Sequence, residues 1–188
     1  MGDKQSAEFV VLKKEEVEVM IAAAAEKAAA AAAEIVAQTY TEKNMKKKSR
    51  ILHNTTLLLE NYRMLKKGCE NAVYKKDKKV MSIMESIADM DDDDIIVSSI
   101  KDSAERTAII ISHIDSMIDI YREYCYKNKS RDWRKFKVIQ GLYISKKPKS
   151  ILQLSHEFHV SKVTIFKDKK EAIERLSSLF FGMNGLNL

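Results

Sequence analysis

The chain has 188 residues, of which 45% are apolar, and it carries a net charge of +6 from 33 basic and 27 acidic side chains. This length and apolar content allow one or two domains with a buried core. Five glycines and one proline are too few for the many tight turns of an all-β protein, so the composition predicts an all-α fold.

The first predicted element is a helix from about residue 12 to residue 43, rich in alanine, which has the highest helix propensity. Small and apolar side chains recur along it in a heptad seam made of Val10, Val17, Ala24, Ala31, Ile21, Ala28 and Ile35. A seam of small side chains lets a partner helix approach closely. It predicts an arm that packs or oligomerises; the alternative is a low-complexity helix that stands free or docks loosely.

Neither a membrane span nor a signal peptide is predicted. Glu26 and Lys27 interrupt the alanine-rich run, which is too weakly apolar to cross a bilayer. The start of the chain is mixed in charge and lacks the apolar stretch of a signal peptide. We therefore expect a cytoplasmic protein without a membrane partner.

Two further long helices are predicted at about residues 44–74 and 95–127, with a short helix near residues 80–90 between them. Each long helix carries apolar positions at alternating steps of four and three, the pattern of a helix packed on another helix. In the second helix these positions are Ile51, Thr55, Leu58, Tyr62, Leu65, Cys69 and Ala72. In the third they are Ile100, Ala104, Thr107, Ile111, Ile114, Ile118, Tyr121 and Cys125. We expect the two helices to pack together, within one chain or across a dimer.

Several residues of this region resemble ligands but favour structural roles. Asp91–Asp94 precede a helix, where negative charge suits the helix dipole, and their spacing fails the calcium-loop pattern. Cys69 and Cys125 lie in the apolar seams, so we expect reduced core residues in a reducing compartment. His113 is isolated and is also expected to be structural. The basic cluster at residues 46–50 either touches DNA flanks or is solvated.

A short aromatic helix is predicted next, with the apolar side chains Trp133, Phe136, Ile139, Leu142 and Tyr143. These residues should close the core beneath the C-terminal part of the chain. Trp133 can stack on a nucleic-acid base, but a single tryptophan beside basic residues is more often a core anchor.

The stretch from residue 149 to residue 182 predicts a helix-turn-helix whose second helix is long. A first helix at about residues 151–158 carries the small Ser155 where two helices must cross, and a turn follows at His159. Ser161 is a natural N-cap, because its hydroxyl accepts from unpaired backbone N–H groups of the next helix. His159 stands where glycine usually relieves a positive-φ turn, at a cost of roughly 1 kcal/mol.

The second helix of this motif has an inward and an outward face. Apolar side chains at helical spacing form the inward stripe: Ile165, Ala172, Ile173, Leu176 and Phe180. The outward side chains are hydroxylic, basic or aromatic: Ser161, Lys162, Thr164, Phe166, Lys167, Lys169 and Lys170. Such side chains contact guanine edges or phosphates. Lys146, Lys147 and Lys149 precede the motif, where phosphate contacts set register. The alternatives are an amphipathic helix with a solvated basic face and a solvated lysine loop.

Charge distribution agrees with a nucleic-acid partner. Residues 127–188 hold 14 basic and 5 acidic side chains, a net charge of +9, so the rest of the chain has a net charge of −3. Such asymmetry is the electrostatic footprint of a nucleic-acid module attached to another part. We predict a helical oligomerisation or interaction region at residues 1–128 and a DNA-binding domain at residues 129–188.

Three consecutive segments resemble a known family: SSIKDSAERTAIIISHIDSMIDIYREYC, SRDWRKFKVIQGLYI and LSHEFHVSKVTIFKDKKEAIERLSSLFFG. They are similar to phage-encoded transcriptional regulators of Gram-positive bacteria related to the autolysin regulatory protein ArpU, whose C-terminal part resembles region 4 of sigma factors. The resemblance covers about half the chain. It implies promoter or operator binding that regulates late phage or lysis genes, without catalysis. The family's recognition residues correspond to Ser161, Lys162, Thr164 and Lys167, whereas His159 departs from its usual glycine.

No catalytic pattern accompanies these features. The chain lacks a glycine-rich phosphate loop, a nucleophile elbow and a Cys-x-x-Cys pair, and its four histidines share no metal-ligand spacing. We therefore expect neither enzyme activity nor a metal or cofactor.

The function favoured by the sequence is a sequence-specific regulator that binds double-stranded DNA. Its N-terminal helices are expected to form a homo-oligomer, first of all a dimer, or to contact RNA polymerase. The alternative is a phage DNA-packaging or structural protein, such as a small terminase subunit, whose long helices build a ring. A third hypothesis is a helical interaction protein whose basic domain meets an acidic protein surface.

Overall fold

A computed structural model of the chain describes residues 13–69, 80–90, 92–93, 96–97, 100, 104–128 and 131–182. Among these residues every regular element is helical and none is a strand, which confirms the predicted all-α class. No helix in these ranges has the length and the apolar run needed to cross a membrane. The chain divides into two compact units, Met1–Lys43 and Asn44–Leu188. The predicted boundary between residues 128 and 129 falls inside the second range and stays a prediction.

The first helix, α1, spans Lys14–Gly68 and therefore unites the helices predicted at residues 12–43 and 44–74. The sequence at their junction holds neither glycine nor proline, so nothing in the backbone ends a helix there. At its start, the Glu16 carboxylate accepts the Lys13 backbone N–H at 3.0 Å. Negative charge at this position suits the positive end of the helix dipole.

In the first unit, every described residue of α1 is exposed, including the members of the predicted heptad seam. Val17, Ile21 and Ile35 face solvent within the described chain, and Val10 lies outside the described residues. The packing or oligomerising role of this seam therefore stays a prediction.

In the second unit, the last part of α1 is followed by a series of shorter helices. They are α2 (Val80–Ala88), α3 (Ala104–Asn128), α4 (Arg131–Ile139), a π-helical turn (Gln140–Ile144), α5 (Ile151–Glu157) and α6 (Lys162–Phe181). α2 and α3 correspond to the helices predicted near residues 80–90 and 95–127. Most of the residues between 91 and 103 lie outside the described part of the chain.

The predicted seams of α1 and α3 lie in the main core of the second unit, to which α2, α4 and α6 also contribute buried side chains. Their buried members are Ile51, Thr55, Leu58, Tyr62 and Leu65 in α1 and, in or just before α3, Ile100, Thr107, Ile111, Ile114, Ile118, Tyr121 and Cys125. Cys69 is half-buried, and Ala72 lies outside the described residues. The prediction was wrong for Ala104, which is exposed at the first position of α3.

These two helices pack within a single chain. The Tyr62 hydroxyl donates to the carboxylate of Asp115, and Lys66 Nζ lies 2.9 Å from Asp115 Oδ2. Burial raises the pKa of the Tyr62 hydroxyl above its ordinary value, which further favours the protonated phenol that donates this hydrogen bond. Tyr62 and Lys66 of α1 thus link this helix to Asp115 of α3 by polar contacts.

Polar contacts also hold α1 against α2 and the acidic segment that follows it. The Asn54 amide donates to a backbone carbonyl of α2 at 2.7 Å, and His53 Nε2 lies 2.6 Å from Asp93 Oδ1. The sequence did not predict the contact of Asp93. Asp91 and Asp94 lie outside the described residues. Within the described part of the chain, no group of side chains could hold a metal ion.

Three residues expected to be structural lie in or beside the core. Cys125 is buried and free, and burial raises the pKa of its thiol, which disfavours the reactive thiolate. His113 Nε2 lies 3.0 Å from the carbonyl oxygen of Phe180. Trp133 stacks on the buried Phe136 with ring centroids 5.3 Å apart, as expected of a core anchor.

Candidate nucleic-acid interface

A second, smaller core joins α4, α5 and α6. Its buried members are Val138, Leu154 and Ile165, one from each helix. Partly buried apolar side chains surround them: Leu142, Ile151, Phe158 and Val160. This three-helix core fixes the position of α6 against α5, and it determines which side of α6 faces solvent.

The start of α5 is fixed by a capping box. The Ser150 hydroxyl accepts the backbone N–H of Gln153 at 3.2 Å, and the Gln153 side chain accepts the backbone N–H of Ser150 at 2.7 Å. Two otherwise unpaired N–H groups are thereby satisfied. Sequence reasoning missed this cap, although serine followed three residues later by glutamine is its usual signal.

The π-helical turn brings the chain from α4 to this cap. Gly141 lies so close to α5 that an added Cβ would stand 2.9 Å from Leu154 Cδ2. The Lys149 backbone N–H donates to the Gly141 carbonyl at 2.9 Å. A side chain at position 141 would therefore require the buried Leu154 side chain to shift.

The turn between α5 and α6 has the predicted conformation. His159 has a φ of 52°, the positive value expected where glycine is common. The Val160 backbone N–H donates to the Ser155 carbonyl at 3.0 Å, and Ser155 itself is buried. The small Ser155 side chain is thus buried at the end of α5 that leads into the turn.

The predicted cap and inward stripe of α6 are confirmed. The Ser161 hydroxyl accepts the backbone N–H of Thr164 at 3.1 Å. The inward side chains are all buried: Ile165, Ala172, Ile173, Leu176 and Phe180. Because Ile165 belongs to the small core, the first turns of α6 are held from one side only, and their other side remains at the surface.

The candidate contact residues divide into exposed and half-buried side chains. Those that are exposed are Ser161, Lys162, Phe166, Lys167 and Lys170. Thr164 is half-buried, with its hydroxyl 3.0 Å from the Ser161 hydroxyl. Lys169 is also half-buried, with its Nζ 5.5 Å from the centre of the Tyr143 ring.

The lysines before α5 do not all present a free charge. Lys146 and Lys147 are exposed. Lys149 Nζ donates to the two carboxylate oxygens of Glu157 at 2.9 and 2.7 Å. To contact a phosphate, Lys149 must either break this exposed ion pair or bind the phosphate and Glu157 together. The exposed Lys147 can contact a phosphate without such a rearrangement.

Exposed apolar side chains border the basic ones on α6. Val163 is 76% exposed and Phe166 is 56% exposed. Phe166 lines an apolar cleft of about 360 Å³ together with Leu52 and Ile173. Val163 was not among the predicted contact residues, although an aliphatic residue outside the inward stripe could have indicated it.

A buried ion pair anchors α6 to α4. Asp168 is only 1% exposed, and Arg134 holds it with two hydrogen bonds, from Nε to Oδ2 at 2.6 Å and from Nη2 to Oδ1 at 3.3 Å. The hydrogen bond that Arg134 donates to Asp168 raises the pKa of the arginine. Sequence reasoning missed this pair, although position 168 falls three residues after Ile165 and four before Ala172 on the inward side.

Glu171 continues the same contact between α4 and α6. Its Oε2 lies 2.8 Å from Lys135 Nζ, and its Oε1 lies 3.4 Å from Arg131 Nη2. The hydrogen bond from Lys135 lowers the pKa of the Glu171 carboxyl, and the nearby Arg131 and Lys167 charges act in the same direction.

This lowered pKa predicts an acid-sensitive contact. The stabilisation is fully present above the ordinary carboxyl pKa near 4.5 and is lost as pH falls through the lower value of the folded state. Chemical denaturation between pH 6 and pH 3 should show a shallower loss of stability for Glu171→Gln than for the wild type. Glu60→Gln, on an exposed position of α1, is the matched control and should keep the wild-type slope. An unchanged slope for Glu171→Gln would remove Glu171 from the contact.

Comparison with known proteins identifies no relative of this chain. No protein family, no curated protein and no solved structure matches the chain significantly.

Proposed function

We propose that the protein is a sequence-specific DNA-binding transcriptional regulator in which α5, the following turn and α6 act as a helix-turn-helix. One observation carries the proposal: the first turns of α6 are buried on one side through Ile165 and Asp168 and expose basic and hydroxylic side chains on the other. In helix-turn-helix proteins the N-terminal residues of the second helix contact base edges in the major groove.

The charge around α6 supports a polyanionic partner. Lys162, Lys167 and Lys170 are exposed, whereas both acidic residues on the α4 side, Asp168 and Glu171, are held by basic partners. These two acidic groups are thus neutralised within the fold, and the lysines of the outward side remain to meet phosphates. Release of counterions from neutralised phosphates supplies most of the affinity in such contacts.

The wider biological setting is part of the same proposal. By the resemblance to regulators related to the autolysin regulatory protein ArpU, the target is a promoter or operator of late or lysis genes of a phage or prophage, in the cytoplasm. The exposed seam of the first unit would then form a dimer or contact RNA polymerase. A dimer places two reading helices on half-sites about one DNA turn apart.

Selection from random duplexes tests the proposal directly. The full-length protein is incubated with random-sequence duplexes at near-physiological salt, and retained DNA is sequenced over successive rounds. A regulator enriches a defined site, and its affinity falls steeply with added salt. Retention without enrichment would exclude sequence-specific regulation, and no retention would exclude a DNA-binding function and favour an acidic protein partner.

Single substitutions should separate base contacts from phosphate contacts. If Lys162 or Lys167 touches a base, its replacement by alanine reduces discrimination between the selected and a random site by roughly 1–3 kcal/mol. A phosphate contact instead weakens both complexes equally and lowers the salt slope by about one. Lys127→Ala, an exposed lysine at the end of α3, should change neither quantity. Binding isotherms at several salt concentrations distinguish these outcomes.

DNA packaging is the second candidate function. The exposed seam of the first unit favours it as much as it favours the regulator, since either function uses the seam for oligomerisation. In that case the long helices build a closed ring, and binding to DNA serves assembly. Analytical ultracentrifugation separates the two candidates, because a dimer supports the regulator and a larger closed oligomer supports packaging.

A further inference from the structure

We propose that Val163 reads thymine, by packing its isopropyl group against the C5-methyl group in the major groove. This inference rests on the proposed DNA-binding function and assigns the chemical feature that α6 recognises. In the major groove, thymine is distinguished from the other bases by this methyl group, which accepts apolar contacts.

The exposure of Val163 carries the inference. At 76% it is the most exposed of the large apolar side chains in the described chain. It is the second residue of α6, two positions after the Ser161 cap, so it lies in the turn that a helix-turn-helix presents to base edges.

Folding gives no reason for valine at this position. An exposed side chain contributes little hydrophobic stabilisation, because its apolar surface remains in water. Valine also has a lower helix propensity than alanine, since its branched side chain loses rotamer freedom in a helix. An apolar partner supplied from outside the chain accounts for this residue where stability does not.

The charges around Val163 select the partner. Lys162 precedes it, Lys167 is four residues later on the same side of the helix, and both are exposed. Phe166, three residues after Val163, adds a second exposed apolar surface. An exposed apolar side chain with lysines beside it is complementary to a thymine methyl group, because the phosphates of the DNA backbone lie beside that methyl group.

Removing the methyl group from the DNA tests the contact. The duplex enriched from the random library is synthesised twice, once with thymine and once with uracil, which pairs identically but lacks the C5-methyl group. Loss of one buried methyl contact is expected to weaken wild-type binding about fourfold per thymine contacted. Val163→Ala should bind the thymine duplex more weakly than the wild type and should show a smaller preference for thymine over uracil.

The control is Ile120→Ala, because Ile120 is 50% exposed but lies on α3. This variant should keep the full preference for thymine. The inference is overturned if the wild type binds both duplexes equally, or if Val163→Ala keeps the wild-type preference. Both of these outcomes leave DNA binding intact, whereas failure to retain any duplex overturns the proposed function as well.

Discussion

Replacing Ile165 with alanine should lower the free energy of unfolding by about 2–5 kcal/mol. Ile165 is fully buried and joins α6 to α4 and α5 through the small core. Its truncation leaves a cavity in the small core that holds the first turns of α6. Chemical denaturation followed by circular dichroism measures the change, and any loss of DNA binding should follow the fraction of unfolded protein.

The matched control for this substitution is Val163→Ala on the same helix. Val163 is exposed, so its truncation should change stability by no more than about 0.5 kcal/mol. If Ile165→Ala unfolded at the wild-type denaturant concentration, the assignment of inward and outward sides of α6 would be wrong. The proposed contact residues would then have to be reassigned.

Replacing Arg134 with methionine should lower the free energy of unfolding by a similar amount, about 3–5 kcal/mol. Methionine keeps much of the length of the arginine side chain but leaves the Asp168 carboxylate, which is 1% exposed, without its charged partner. Burying an unpaired carboxylate is far more costly than losing an exposed ion pair. Thermal or chemical denaturation measures the loss.

Two further variants separate the unpaired charge from the lost packing. The double variant Arg134→Met with Asp168→Leu removes both charges and should recover most of the lost stability, because buried pairs are often replaceable by apolar side chains. Arg122→Met breaks an exposed pair with Asp119 and should cost less than about 1 kcal/mol. If the double variant were no more stable than Arg134→Met, the buried carboxylate would not be the source of the loss.

Much of the candidate site follows from patterns of neighbouring residues. The Ser161 cap, the positive φ of His159 and the buried stripe beginning at Ile165 were all predicted. Each depends on hydrogen bonds or side-chain spacing within a few residues. The π-helical turn, which contains Gly141 close to Leu154 of α5, was not predicted.

The engagement of individual polar side chains could not be predicted in the same way. Lys149 is paired with Glu157, which lies eight residues further along the chain. Asp93 meets His53, a residue 40 positions earlier. Such pairs depend on the path of the whole chain, so a charge seen in the sequence does not reveal whether it is free to meet a ligand.

The sequence by itself determined the all-α class, the seams of α1 and α3 and the local geometry around the turn between α5 and α6. These features arise from helix propensity, side-chain periodicity and capping, which act between residues close in the chain. Only the tertiary structure decided that α1 and α3 pack within one chain, that Arg134 anchors Asp168, and that Val163 remains exposed beside the lysines of α6. The physical reason is that burial and ion pairing depend on which distant segments meet, and segments far apart in sequence meet only once the chain has folded.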